Sequence, residues 1–289
     1  FFRGAQEHHY DTVAPFEKMF AKAMDGTIRI MSSTNTRALS GVDPKKQARL
    51  AKARTEVRKI ILAKKWALTL FPTEAYAQDA EMSLPDFEQF VIRANFLDRK
   101  DPVAEWTKLD TFHRKLIARL KNADEIRITG ENTDLRMSVK KRTFISSVAT
   151  HNVPSGEIFT GPVEESVEGH IAYDFPVCEG GREIDGIRLV FKGGRVVEAS
   201  ATKNEPYLLS MLDMDPGARR LGELGIGTNF GIQQFIKNIL FDEKIGGTIH
   251  LALGESYPET GGVNKSALHW DMIKDLRKGG AIYVDGKPF

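Results

Sequence analysis

Cysteine is nearly absent from this chain. The single one, Cys178, excludes an internal disulfide framework and any metal cage built from thiolates. It has no histidine close by in sequence, so a structural role is expected for it rather than nucleophilic catalysis. Such sparing use of cysteine fits a reducing compartment, and the cytoplasm is the expected location. No apolar run reaches the roughly 18 residues that a membrane-crossing helix needs. No signal peptide is visible. Charge of one sign is also lacking: 41 Lys+Arg face 39 Asp+Glu, a net +2, so nothing in the balance calls for nucleic acid or an anionic membrane. There is no internal repeat and no low-complexity linker. The chain opens Phe1-Phe2-Arg3-Gly4 without a methionine, which reads as a fragment or a processed start.

What is present is enough apolar matter for a substantial core, 41% of 289 residues, in one large domain or two ordinary ones. The first part alternates strand-like and helix-like runs. Gly26–Ser33 alternates apolar and polar residues and predicts a strand. Asp43 followed by Pro44 is an N-cap and first-turn pair, and Leu50, Ala53, Val57, Ile60 and Ile61 continue a helix to Ala63. Trp66–Phe71 is a short apolar run stopped by Pro72, a buried strand. Ser83 caps a helix carrying Phe87, Phe90, Val91 and Ala94. A second amphipathic helix turns Trp106, Leu109, Leu116, Ile117 and Leu120 inward, and Glu125–Thr129 follows as a strand. This alternation predicts a parallel-type α/β layer over residues 1–137.

After about Met137 glycine becomes frequent and short β runs dominate. VEGHIAYDF, GIRLVF and RVVEASAT read as strands, with Gly193-Gly194 as a hairpin turn between the last two. Tyr207–Asp213 and Ile232–Leu240 read as helices, Thr248–Leu253 as a strand, and Trp270–Arg277 as a short closing helix stopped by Gly279-Gly280. The fold class expected is therefore an α/β N-terminal domain, 1–137, followed by an α+β domain, 138–289.

The chemistry gathers in that second part. Glu157, Glu223, Glu243, His250, His269 and Asp271 lie in glycine-rich phrases. Hard carboxylate donors mixed with two imidazoles suit a pair of divalent cations, because carboxylates neutralise and bridge two close positive charges. His269 and Asp271 are two apart, so an extended segment turns both to one centre. The glycines beside Glu157 and Glu223 permit positive φ and close backbone approach, which lets a short loop aim a carboxylate inward. Other features carry less. Adjacent His8 and His9 point apart. Residues 45–65 hold nine Lys/Arg against Glu56 alone, but without interleaved aromatics they read as a solvated helix face. Gly225-x-Gly227 lacks the strand–helix context of a dinucleotide fingerprint.

The phrases PSGEIFTGPVEESVEG, LGELGIGTN, DEKIGGTIHLALGESY and SALHWD, in that order, resemble the metal-binding segments of the M29 metallo-aminopeptidases, the aminopeptidase T and S group. WALTLFPTEAYAQDAEMSLPDFEQFVIRANFLDRKDPVAEW is similar to the family's first domain, so the resemblance covers nearly the whole chain. It implies that family members carry more sequence before the point where this chain starts, and that the first strands of the N-terminal domain are missing here. It also implies that Glu157, Glu223, His250, His269 and Asp271 hold two metals, with Glu223 bridging and Glu243 either a ligand or an orienting group behind a histidine. Zinc, cobalt, manganese and magnesium all suit such donors. Tyr257 matches a family tyrosine beside the metals, placed to donate to a tetrahedral oxyanion. Glu157 and Glu243 are the candidate proton shuttles. The implied activity is removal of the N-terminal residue from short peptides with a free N-terminus, by a homodimer. The rival reading is a ring-cleaving dioxygenase holding one iron on His250, His269 and Asp271. A second rival is a non-catalytic protein that keeps its metals for stability.

Overall fold

A computed structural model describes residues 1–289. After a 3-10 turn at Glu7–Tyr10 come α1 (Pro15–Ala23), β1 (Gly26–Met31), α2 (Pro44–Ala53), α3 (Thr55–Leu62), β2 (Lys65–Leu70), α4 (Glu74–Asp79), α5 (Leu84–Ala94) and α6 (Pro102–Leu120). The middle of the chain runs β3 (Glu125–Gly130), β4 (Thr133–Ser138), β5 (Ile145–Ser147), β6 (Glu157–Thr160), β7 (Glu168–Ala172), β8 (Val177–Glu179), β9 (Arg182–Ile184), β10 (Arg188–Lys192), β11 (Arg195–Ser200) and α7 (Glu205–Leu212). The last part holds β12 (Leu221–Gly227), α8 (Ile239–Asp242), β13 (Thr248–Gly254), β14 (His269–Asp275), β15 (Ala281–Val284) and β16 (Lys287–Pro288).

The helix starts follow from local chemistry. Asp43, Ser83 and Asp101 accept the backbone N–H of Lys45, Asp86 and Ala104, and each precedes a proline in the first turn, where a missing N–H costs nothing. The helix predicted from Pro44 to Ala63 is two, broken at Arg54. Its basic side chains meet the N-terminal acids: Arg49 pairs with Glu7 and Asp11, Lys46 with Glu7, and Arg54 with Glu17.

The fold is mixed α/β with several sheets. β1 and β2 form the parallel pair that the sequence predicts. β3 does not join them. It lies antiparallel between β4 and β15 in a seven-stranded sheet, ordered β11-β10-β7-β4-β3-β15-β16. A five-stranded antiparallel sheet, β14-β13-β12-β6-β5, packs against it. Between the two lies the larger core, with Ile126, Ile128, Leu135 and Phe191 from one sheet against Leu224, Ile249, Leu251 and Met272 from the other. Phe87, Phe90 and Val91 of α5 pack with Ile232, Ile236, Phe241 and Ile245 in a second cluster. Hydrogen bonding and packing therefore both cross residue 138, where the sequence texture changes.

Two predicted helices are absent. Trp270–Arg277 is mostly strand β14. Trp270, Ile273 and Leu276 mimic a helical stripe, but strand alternation puts Trp270, Met272 and Lys274 on one face. Lys274 is buried there, paired with Asp174 at 3.0 Å, and a buried lysine hides the period-two signal. Residues 232–238 form bends rather than a helix, and only Ile239–Asp242 turns helically. The Asp242 carboxylate accepts the N–H of Ile236 and of Asn238, holding the backbone in an irregular path that competes with helix.

Candidate metal centre

The five-stranded sheet is an organiser of side chains. Antiparallel register aligns Glu157 with Gly227, Gly225 with His250, Glu223 with Ala252, Ala252 with Asp271, and Gly254 with His269. Strand alternation then places Glu157, Glu223, His250, His269 and Asp271 on one face. The opposite face of the same strands supplies the larger core. β12 and β13 are buried along their whole length, so the carboxylates and imidazole they carry are out of bulk water.

Glu157 and Glu223 are strand residues here, not turn residues, so the sequence-level reason for their glycines needs correcting. Gly156 does have positive φ, +119°, and its missing side chain makes room for Asn229. Gly225 serves otherwise: a Cβ there would sit 2.0 Å from the His250 ring. The imidazole lies across the bare backbone of the neighbouring strand, which brings it to the carboxylates of Glu157 and Glu223.

His250 Nε2 is 3.3 Å from Glu157 Oε2 and 3.4 Å from Glu223 Oε1. His269 Nε2 is 3.3 Å from Glu223 Oε2 and 3.8 Å from Asp271 Oδ2. Each imidazole donates its Nδ1–H to a backbone carbonyl, His250 to Glu243 and His269 to Glu255, at 3.1 and 2.9 Å. That fixes both rings with Nε2 turned to the acids, the arrangement of metal-binding histidines. Two donor sets, Glu157–Glu223–His250 and Glu223–His269–Asp271, each keep their ligand atoms within 4.8 Å and share Glu223. Glu243, His250 and Asp271 form a third.

Electrostatics give the same picture. Burial alone would raise the Glu223 carboxyl, yet the facing imidazoles reverse this and take it down to about 2. Burial alone would lower both imidazoles, yet Glu223, Glu157 and Asp271 raise His250, while Asp271 and Glu223 take His269 up to about 10. Four carboxylates crowd two imidazoles and call for positive charge. Glu157 Oε2 and Asp271 Oδ1 are buried without a hydrogen-bond partner. Orphaned carboxylate oxygens beside free imidazole nitrogens fit divalent cations.

Tyr257 stands edge-on to His269, ring centroids 5.1 Å apart, and to Phe159 at 5.6 Å. Burial, with Glu223, Asp271 and Glu157 nearby, raises its phenol and keeps the proton on. One residue escaped the sequence reading. Lys244 is wholly buried, with Nζ 3.0 Å from Glu157 Oε1 and in contact with Glu243 Oε1. Its signal lay in the phrase FDEKIGG, where a lysine follows the acids directly into a buried turn. His8 and His9, expected to point apart, instead bring their rings to within 4.0 Å, tilted at 43°, at the surface, but they join no donor set.

Residues 1–287 match the family described as thermophilic metalloprotease (M29). The chain belongs to the M29 metallopeptidase family. It is accordingly a metal-dependent hydrolase of peptide bonds, and its named relatives are aminopeptidases. Aminopeptidase 2 of Geobacillus stearothermophilus is 32% identical over 297 residues, covering 88% of this chain and 71% of the relative. Aminopeptidase T of Thermus aquaticus is 29% identical, covering 84% and 66%. The structure of wild-type AmpT from Thermus thermophilus superposes with a TM-score of 0.84 at 26% identity, over 100% of this M29 chain and 81% of that one. A 2,5-dihydroxypyridine dioxygenase from Pseudomonas putida KT2440 shares the fold more distantly, with a TM-score of 0.51 at 17% identity over 94% of this chain and 71% of that one.

Proposed function

We propose that this chain is an aminopeptidase that removes the N-terminal residue of short peptides by means of two divalent ions and a water. The observation that carries the reading is the sharing of Glu223 between two donor sets on one sheet face. One set is Glu157, Glu223 and His250; the other is Glu223, His269 and Asp271. Zinc, cobalt, manganese or magnesium in these sets supplies Lewis acidity toward a peptide carbonyl and lowers the pKa of a water toward about 7. Charge supports two ions: four carboxylates and one ammonium leave a deficit that a single divalent cation does not cancel.

The chain's own groups do the rest. The Glu243 and Glu255 carbonyls hold the imidazoles in the ligating tautomer. The protonated Tyr257 phenol donates to the oxyanion as the carbonyl becomes tetrahedral. Glu157 and Glu243, both touching Lys244, are the two candidates for carrying a proton from water to the leaving amine. A homodimer and a cytoplasmic setting belong to this proposal as well. No helix is long and apolar enough to cross a membrane.

The dioxygenase reading receives less support. Its triad of His250, His269 and Asp271 does not occur as one close donor set; the two histidines fall in different ones. Elemental analysis and a paired assay test the proposal. Two divalent ions per chain and cleavage of free but not N-acetylated peptides are expected. One iron per chain with oxygen consumption would overturn it.

A further inference from the structure

Beside the metal face lies a cleft of about 90 Å³. Its lining includes Cys178 and Glu179 of β8, Phe235, Lys237, His269 and Asp271. Its position is fixed by the sheet. β14 is the outer strand, and its free edge holds the segment leading into β8: Asp174 N–H donates to the Ile273 carbonyl, and Asp275 N–H donates to the Asp174 carboxylate at 2.7 Å. That clasp brings β8, and with it Glu179, into the same cleft as Asp271.

Apart from Asp271 of the metal face, the other acids near this cleft have partners. Glu157 and Glu243 meet Lys244, and Glu223 meets the imidazoles. Asp242 accepts two backbone N–H groups. Glu183, next door on β9, takes Lys203 at 2.8 Å and Lys237 at 3.4 Å. Arg182 lies over the Tyr207 ring instead. Glu179 forms no ion pair. It is solvent-exposed, and partial desolvation by the surrounding protein, followed by the charge of Asp271, pushes its carboxyl up. An incoming cation relieves both effects.

We infer that Glu179 receives the free α-ammonium of the substrate, in the cleft it shares with His269 and Asp271. This rests on the aminopeptidase reading above and adds the group that reads the N-terminus. An ammonium seated there directs the first peptide carbonyl to the metal face. An acylated N-terminus brings no charge to the unpaired carboxylate and is refused. The cleft is small, so one residue of the substrate enters it.

The test uses the metal-loaded protein and two hydroxamates of one amino acid, with and without the α-amine. Both chelate metal, so the amine-free compound reports the centre and the ratio of the two affinities reports the ammonium site. In the wild type the amine-bearing compound should bind about ten- to a hundredfold tighter, the size of one charge-assisted contact. Glu179→Gln should abolish that ratio while leaving metal content and the amine-free affinity unchanged. Glu179→Asp should keep part of it. A ratio that survives in Glu179→Gln, in a protein that still cleaves only free peptides, overturns the inference and spares the aminopeptidase reading. A wild type that cleaves acetylated and free peptides alike, with no preference between the hydroxamates, removes both.

Discussion

Single atoms decide how this centre is built. Gly225 is the clearest case, because the His250 ring occupies the space of its missing side chain. Gly225→Ala should fold, since strands accept alanine, yet push the imidazole off the carboxylates. We expect metal affinity to fall about ten- to a hundredfold, in line with displacing a ligand's support. Unchanged affinity by calorimetry would refute this account of the glycine. Lys244 is the second case. Lys244→Met leaves Glu157 and Glu243 without their cation, and breaking a buried pair costs about 3–5 kcal/mol. Chemical denaturation of the metal-free variant should show that loss, and bound metal should restore part of it. The ligand types were legible in the sequence, because acids and imidazoles amid glycines are rare. Lys244 was not, since a lysine beside acids usually means a solvated pair.

At the level of elements, one histidine ties helix to sheet. His113 of α6 lies wholly buried, with Nδ1 2.8 Å from Ser146 Oγ on β5 and Nε2 2.6 Å from Thr228 Oγ1 just beyond β12. Burial, only partly opposed by Asp110, pushes its pKa down to about 4. The unfolded chain takes up this proton near pH 6.5, the folded one only near 4. Stability from this group is thus complete above about pH 6.5 and is lost as pH falls toward 4. His113→Gln should flatten that stretch of the melting-temperature profile, and an unchanged slope would count against it. The sequence predicted α6 and much of its inward face, since Leu120 is buried and Leu116 and Ile117 pack on the core; Trp106 and Leu109 are half-buried, and the fully enclosed His113 was not named. β14 was misread for a related reason. Its buried Lys274 finds Asp174 from a distant loop, and no local pattern reports such a partner.

Across the whole molecule, metal and fold are coupled. The five residues proposed to hold metal come from β6, β12, β13 and β14, so ions bound there would cross-link most of one sheet. Ligand held at a hundred times its dissociation constant adds about 2.7 kcal/mol to stability. Chelation should therefore lower the melting temperature by about 4–5 °C for a chain of this size. Protons compete for the imidazoles, so the difference between loaded and chelated protein should shrink as pH falls from about 8 to 5. Coincident melting curves at every pH would remove the coupling. The β3 strand shows the limit of linear reading at this scale. Its alternation was plain, but its partners β4 and β15, on either side of it in the sheet, both follow it in the chain, the second about 150 residues later.

The amino-acid order alone determined which side chains could bind metal, which short runs were strands, and where the capped helices α2, α5 and α6 begin. Those properties depend on residue chemistry and on periods of two to four residues. Tertiary structure alone decided that Glu223 belongs to two donor sets, that Lys244 faces Glu157, and that Glu179 lacks a cation. Such facts depend on the register between strands far apart in the chain, and a shift of one residue would turn every one of these side chains to the opposite face.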